Sequence, residues 1–303
     1  MTGISYIVPV YNEEGDIVST IDRLRSTLES LNRPYEIIVV DDGSDDNSAS
    51  IASACKGVKV LRHPTNAGYG AALKTGISNS QYDWIGIVDA DGTYEIEMVP
   101  QLVASMEEGF DMVVAARSNV FDHDGFFKKL GRKIFVVIIN ILINQDVQDP
   151  NSGLRIFTKS LALTFFPFLC NSFSFTTSIT VFALGDAYFV KYLPSEYKGR
   201  EGASKVKHFR DTLRTIQLIV QGVTFFNPLK LYLLLALVHV VFVALPSLVL
   251  LVSGCSIAGW IYLLTGTVSC LLVSIGALGD IFRISAMRSL SPPSIHVVDK
   301  DVR

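Results

Sequence analysis

The chain has 303 residues, 49% of them hydrophobic, and a formal net charge of −3. That length holds a soluble domain of about 200 residues with a substantial remainder, and the near-neutral balance excludes the basic footprint of a nucleic-acid binder. Mean hydropathy is +0.38, with the apolar excess gathered near the C-terminus.

Residues 1–5 lead straight into an apolar run, with no basic segment and no cleavage site. No signal peptide is expected. Residues 4–8, closed by Pro9, predict a first strand. Ile17, Ile21, Leu24 and Leu28 then mark one face of an amphipathic helix, which Arg33-Pro34 ends. Residues 36–40 predict a second strand, stopping at Asp41-Asp42-Gly43-Ser44. Ser44 or Asp45 can cap the next helix, which runs to about residue 54. Residues 58–61 predict a third strand. Asn66-Ala67-Gly68-Tyr69-Gly70 opens a helix that reaches Asn79. Residues 84–88 are a fourth strand, 96–106 a helix, and 112–116 a fifth strand ending at Arg117. Strands alternating with helices predict an α/β, doubly wound, mostly parallel sheet.

The polar residues fall at the strand ends. Pro9, Tyr11 and Glu13, then Asp41 and Asp42, then Asp89 and Asp91, then Arg117 each follow a different strand. Parallel strands share one carboxyl edge, and ligands bind in the crevice outside it. Residues spread over more than a hundred positions are thus expected in one place. Asp89-Ala90-Asp91 is the sharpest of these signals. Two carboxylates held close repel unless a cation or proton lies between them. Oxygen ligands alone favour Mg²⁺ or Mn²⁺, held together with substrate phosphates. An Asp-Gly turn after a strand is also ordinary loop chemistry, so the neighbouring motifs carry the assignment.

Beyond residue 120 the character changes. Residues 128–133 are basic, and 134–143 are almost wholly apolar but too short to cross a bilayer. They predict either a core helix or a helix at the membrane surface. Asp149-Pro150-Asn151-Ser152-Gly153 is a tight turn, and 154–157 alternates as a strand. Residues 173–184 predict a helix and 188–193 a strand. Residues 198–205 form a basic, Gly-rich loop suited to phosphate, and 208–223 an amphipathic helix. Residues 229–252 carry one Lys and one His and reach about 36 Å as a helix. Residues 257–279 carry no charge. Both are expected to span a membrane, the first kinked by Pro246. Basic flanks at Lys205, Lys207, Arg210, Arg214 and Lys230, and at Arg283 and Arg288, place both termini and the α/β domain in the cytoplasm. The expected divisions are residues 1–207 as the α/β domain, 208–228 as a juxtamembrane segment, spans at 229–252 and 257–279, and a disordered tail at 284–303. Cys55, Cys170, Cys255 and Cys270 have no ligand spacing and read as free thiols in a reducing compartment.

Together these motifs resemble the inverting family-two glycosyltransferases, and within them the polyprenyl-phosphate sugar synthases of the dolichyl-phosphate mannose and undecaprenyl-phosphate glucose type. The matching stretches are Ile7-Val8-Pro9-Val10-Tyr11-Asn12-Glu13-Glu14, Val39-Val40-Asp41-Asp42-Gly43-Ser44, Asn66-Ala67-Gly68-Tyr69-Gly70, Asp89-Ala90-Asp91, Ala116-Arg117, Asp149-Pro150-Asn151-Ser152-Gly153 and Arg200-Glu201-Gly202-Ala203-Ser204-Lys205. The last two mark the lipid-phosphate branch. The resemblance implies a GT-A fold and a nucleotide-diphosphate sugar donor, of the GDP-mannose or UDP-glucose type. Pro9, Tyr11, Glu13, Val40 and Asp42 would hold base and ribose. Asp89, Ala90 and Asp91 would hold the diphosphate, with Mg²⁺ or Mn²⁺ on Asp91. Arg117, Ser152, Arg200 and Lys205 would surround the donor phosphates and the acceptor polyprenyl phosphate at the membrane lipid. Two departures stand out. The third metal ligand, often Gln, is here Thr93, with Glu95 as an alternative. The charged residue of a later helix is replaced by Phe175-Thr176-Thr177.

Other readings are a membrane glycosyltransferase with a hydroxyl acceptor and an inactive anchor protein. The chain has no Gln-x-x-Arg-Trp motif, which a processive synthase would carry, and no glycines after the first strand, which a dinucleotide enzyme would need. A homo-oligomer in the membrane is compatible with the two spans.

Overall fold

The computed structural model describes residues 2–118, 137, 140, 147–172, 174–196, 228–254 and 256–287. It divides into two compact units, one holding the described residues up to 196 and the other residues 228–287.

The first unit is built on a seven-stranded sheet. Its elements are β1 (Ile4–Val10), α1 (Ile17–Ser30), β2 (Tyr35–Asp41), α2 (Ser48–Ala54), β3 (Val58–Arg62), α3 (Tyr69–Ser78), β4 (Trp84–Ile87), α4 (Val99–Glu107, entered by a 3₁₀ turn at Ile96–Met98), β5 (Met112–Arg117), β6 (Arg155–Thr158), α5 (Lys159–Phe165), α6 (Phe175–Gly185) and β7 (Val190–Ser195). The strand order is β3-β2-β1-β4-β6-β5-β7. The inner strands are buried on both faces, with all seven residues of β1 inaccessible. That is why they read as unbroken apolar runs. Ile17, Ile21, Leu24 and Leu28 of α1 are fully buried against Ile4, Tyr6 and Val8 of β1, each contributing about 1.5–3 kcal/mol.

One strand runs against the rest. β6 is antiparallel to both β4 and β5, and Arg155 pairs with Ile87 on one side and Val114 on the other. The other six strands are parallel. Their carboxyl ends therefore share an edge with the amino end of β6. The Asp149-Pro150-Asn151-Ser152-Gly153 turn enters the sheet where Asp89 and Arg117 leave it.

One local expectation is corrected, and one helix lies where no expectation was made. Neither Ser44 nor Asp45 caps α2, whose N-cap residue is Asn47. The Ser44 hydroxyl instead accepts the Asn12 N–H at 3.0 Å, and Asp46 Oδ1 accepts the Ser48 N–H. A short helix, α5, also follows β6, capped by the Thr158 hydroxyl accepting from the Leu161 N–H.

In the second unit, α7 (Pro228–His239) passes through a π turn at Val240–Ala244 into α8 (Leu245–Val252), and α9 is Ser256–Met287. Pro246 has no N–H to give, and the wider turn just ahead of it lets the helix continue. Pro228–Val252 and Ile257–Phe282 are long and apolar enough to cross a membrane, with mean hydropathies of 2.7 and 2.0. His239 Nδ1 and Ser269 Oγ link the two helices at 3.2 Å.

Candidate active site

The acidic pair sits at the end of β4. The Val88 N–H donates to the Ile7 carbonyl, so strand pairing extends to the residue before Asp89. The Thr20 hydroxyl donates to the Ala90 carbonyl at 3.2 Å, tying the Asp89-Ala90-Asp91 stretch to α1. Asp89 Oδ1 accepts the Tyr69 hydroxyl at 2.7 Å. Asp91 Oδ1 accepts both the hydroxyl of Thr93, at 2.6 Å, and its N–H, at 3.2 Å. Thr93, expected as a third metal ligand, is buried and here orients Asp91. Glu95 accepts the Glu196 N–H through Oε2, at 3.3 Å. Burial and the Asp91 charge push the Asp89 carboxyl up to about 6, against the opposing pull of Tyr69, Arg117 and Arg155. A cation between the two carboxylates would relieve the repulsion that Asp91 exerts on Asp89.

Across the crevice lies the 149–153 turn. Arg117 is paired with Asp149 through both ends of its guanidinium fork, Nε to Oδ2 at 2.7 Å and an Nη to Oδ1 at 2.9 Å, and through its backbone N–H. Burial would raise the Asp149 carboxyl, but the Arg117 hydrogen bonds and charge outweigh it and hold Asp149 below the ordinary carboxylate value. Ser152, expected at a phosphate, is wholly buried, and its hydroxyl donates to the Ala115 carbonyl at 2.6 Å. In this structure it fixes the turn to β5. The Gly153 N–H donates to the Tyr94 hydroxyl at 2.6 Å. Gly153 is needed because it faces Asp89 directly. A Cβ there would lie 2.7 Å from Asp89 Cγ and closer still to Oδ2.

The other flank is formed by β1 and β2. Pro9 and Val40 are register partners, and Tyr11 and Glu13 follow on the β1 side. The Glu13 N–H donates to the Ser48 hydroxyl. Asp42 has both oxygens engaged. Oδ1 meets His63 Nδ1 at 2.7 Å and the Ala67 N–H at 2.9 Å, and Oδ2 accepts the Gly68 N–H at 2.8 Å. Asp42 thus organises the 66–70 loop, which packs on the backbone of Cys170 and Asn171 where Gly68 and Gly70 leave room. Asp41 is buried and keeps Oδ1 without a hydrogen-bond partner among the described residues.

The fold brings Pro9, Tyr11, Glu13, Val40, Asp42, Asp89, Ala90, Asp91, Arg117 and Ser152 to one edge of the sheet. Arg200 and Lys205 lie outside the described residues, as do the basic segment 128–133, the 198–205 loop and the amphipathic helix expected at 208–223. Sequence reasoning missed Tyr94, His63 and Arg155, and quoted Tyr69 within the 66–70 motif without giving it a role. Of the three missed, only Arg155 carries a legible signal, a cation inside an apolar alternation.

Residues 5–166 match the family model for glycosyl transferase family 2. The chain belongs to glycosyl transferase family 2. Among curated proteins it is similar to the undecaprenyl-phosphate 4-deoxy-4-formamido-L-arabinose transferases of Serratia proteamaculans, 32% identical over 58% of this chain and 57% of that one, and of Proteus mirabilis, 31% identical over 56% of each. The chain therefore spans a little over half the length of these relatives. Among solved structures it is similar to glucosyl-3-phosphoglycerate synthase from Mycobacterium tuberculosis in complex with phosphoglyceric acid. That match has a TM-score of 0.61 and 21% identity, over 73% of this chain and 80% of that one. At this identity the likeness is one of fold.

Proposed function

We propose that the chain transfers a hexose from a nucleotide-diphosphate sugar to a polyprenyl phosphate at the cytoplasmic face of a membrane, with inversion. One observation carries this reading: Asp89 and Asp91 stand opposite the Arg117–Asp149 pair at the carboxyl edge of a family 2 domain. The similarity to undecaprenyl-phosphate sugar transferases and the two helices long enough to cross a bilayer point to a lipid-borne acceptor.

A divalent cation suits the acidic pair. Among the described residues no group of three His, Cys, Asp or Glu side chains forms a complete cage. Mg²⁺ or Mn²⁺ would rest on Asp91 and Asp89 and on donor phosphate oxygens. When bound, it supplies charge stabilisation to the departing nucleoside diphosphate. The rest of the chemistry belongs to the chain. Pro9, Val40, Tyr11 and Glu13 frame the nucleoside, and the unspent Asp41 Oδ1 offers an acceptor beside Asp42. The acceptor phosphate is ionised at neutral pH and needs no general base, so the barrier is the approach of two anions. Arg117, with Arg200 and Lys205 from the basic loop, supplies the opposing charge. A single displacement at C1 inverts the anomeric centre. The basic flanks of the spans support a cytoplasmic position for the domain, on the side from which the lipid phosphate would be reached.

An acceptor swap tests the reading. Polyprenyl phosphate should take the sugar, and the corresponding polyprenol should not. Transfer to the alcohol at equal rate would point to a hydroxyl acceptor.

A further inference from the structure

A permanent positive charge lies directly behind the crevice. Arg155, the first residue of β6, is fully buried, and its hydrogen-bonding partners are neutral. Nε donates to the Ser152 carbonyl at 3.0 Å. One terminal nitrogen donates to the Thr176 carbonyl at 3.1 Å and to the Thr180 hydroxyl at 2.7 Å. The other donates to the carbonyls of Pro150, at 3.1 Å, and Ser152. An interior cation without a hydrogen-bonded carboxylate is costly to keep. An apolar residue would fill a core strand position more cheaply, so the fork must do something that packing does not.

Its partners show what that is. Two of the carbonyls, Pro150 and Ser152, belong to the turn that carries Asp149 and Gly153. The Thr176 carbonyl and the Thr180 hydroxyl belong to α6, and the Met112 Sδ of β5 lies at 3.9 Å. Arg155 thus draws one face of the turn inward onto α6. The opposite face is left to hold Arg117 through Asp149 and to press Gly153 against Asp89. Asn151 in the same turn is tied to α6 as well, accepting the Thr177 hydroxyl.

We propose that Arg155 is a positioning residue of the transfer reaction: an interior guanidinium, held by α6, that sets the 149–153 turn against Asp89 and Arg117 without touching the nucleotide sugar. This rests on the glycosyltransferase reading above and adds a residue and a helix to it.

The test uses the full-length protein in detergent. Thr180→Val removes one acceptor at nearly constant volume, at a residue buried in α6, and Thr180→Ser restores it. Arg155→Lys keeps the charge but loses the fork. Thr180→Val should lower kcat about ten-fold with the KM for the nucleotide sugar within two-fold of wild type. It should also speed amide hydrogen exchange in peptides covering 147–156 while leaving β1 and β2 unchanged. Thr180→Ser should recover both, and Arg155→Lys should behave like Thr180→Val. Wild-type kcat and wild-type exchange at 147–156 in Thr180→Val and Arg155→Lys would overturn the proposal. If the wild-type chain transfers no sugar, the functional reading fails first. The exchange measurement then still decides whether Arg155 holds the turn, and unchanged exchange removes the proposal with it.

Discussion

Gly153→Ala is the most direct probe of the crevice's geometry. The added Cβ would lie 2.7 Å from Asp89 Cγ and 2.8 Å from Oδ1, short of ordinary carbon contact by about 0.7 Å or more. Neither side can give way freely. Asp89 is a short side chain held by Tyr69. The turn is held by Tyr94, by the Ser152–Ala115 bond and by Arg155. The Gly153 backbone is not in the left-handed region, so alanine adds a clash and no backbone strain. The clash should displace turn and carboxylate from one another by about 1 Å, a misplacement worth about 10²-fold in rate. Overpacking should cost about 1–3 kcal/mol of stability, leaving a folded protein. Transfer kinetics and thermal unfolding on the same preparation give both numbers. A Gly153→Ala enzyme within three-fold of wild type in kcat/KM would refute the reasoning that the turn and Asp89 act as one fitted unit.

Further outcomes follow from the charges. Asp89 sits at about 6, above the ordinary 3.8, through burial and Asp91. A carboxyl raised by folding favours the protonated native state, so its effect on stability worsens as pH rises from about 4 to 6 and stays unfavourable above that. In metal-free buffer at pH 7.5, Asp89→Asn should therefore raise the melting temperature, by no more than about 3 kcal/mol in stability, while abolishing transfer. A lower melting temperature would contradict the assignment. Asp91→Ala should abolish transfer, and EDTA should do the same to the wild type; full activity in EDTA would remove the cation from the account. Arg117→Lys should lose the paired fork on Asp149 and reduce kcat/KM about 10²-fold, measured at saturating acceptor. In sealed vesicles of known sidedness, a single-cysteine variant retaining Cys255 should react with an impermeant maleimide only from the outside, and one retaining Cys55 only from the cytoplasmic side. The reverse pattern would invert the proposed topology.

Much of this arrangement is written in local pattern. The i, i+4, i+7, i+11 spacing of Ile17, Ile21, Leu24 and Leu28 and the unbroken apolar runs of β1 and β2 depend on near neighbours, and periodicity reads them directly. The convergence of Asp42, Asp89, Asp91 and Arg117 needs only the rule that parallel strands end together. The position of β6 is another matter. Four residues, Arg155–Thr158, insert antiparallel between strands that end some forty to seventy positions earlier, and nothing within four residues encodes a partner. Arg155 itself shows only as a charge in an apolar alternation, and its acceptors on α6 become visible only once the chain is folded. The same holds for Ser152 and Thr93. Motif position brings both to the crevice, but whether a hydroxyl faces substrate or a neighbouring carbonyl is a matter of packing. Ser44 and Asp45 had the right composition for a cap on α2. The Asn12 N–H, more than thirty residues away, claims the Ser44 oxygen instead.

The central claim is that sugar moves from a nucleotide to a lipid phosphate. Full-length protein in detergent, supplied with undecaprenyl or dolichyl phosphate, Mn²⁺ or Mg²⁺ and a panel of radiolabelled UDP- and GDP-sugars, tests it in one step. The account predicts label entering the organic phase from one donor, dependent on the metal and on the lipid phosphate. Nucleotide binding with all label remaining in the aqueous phase, for every donor, would contradict it.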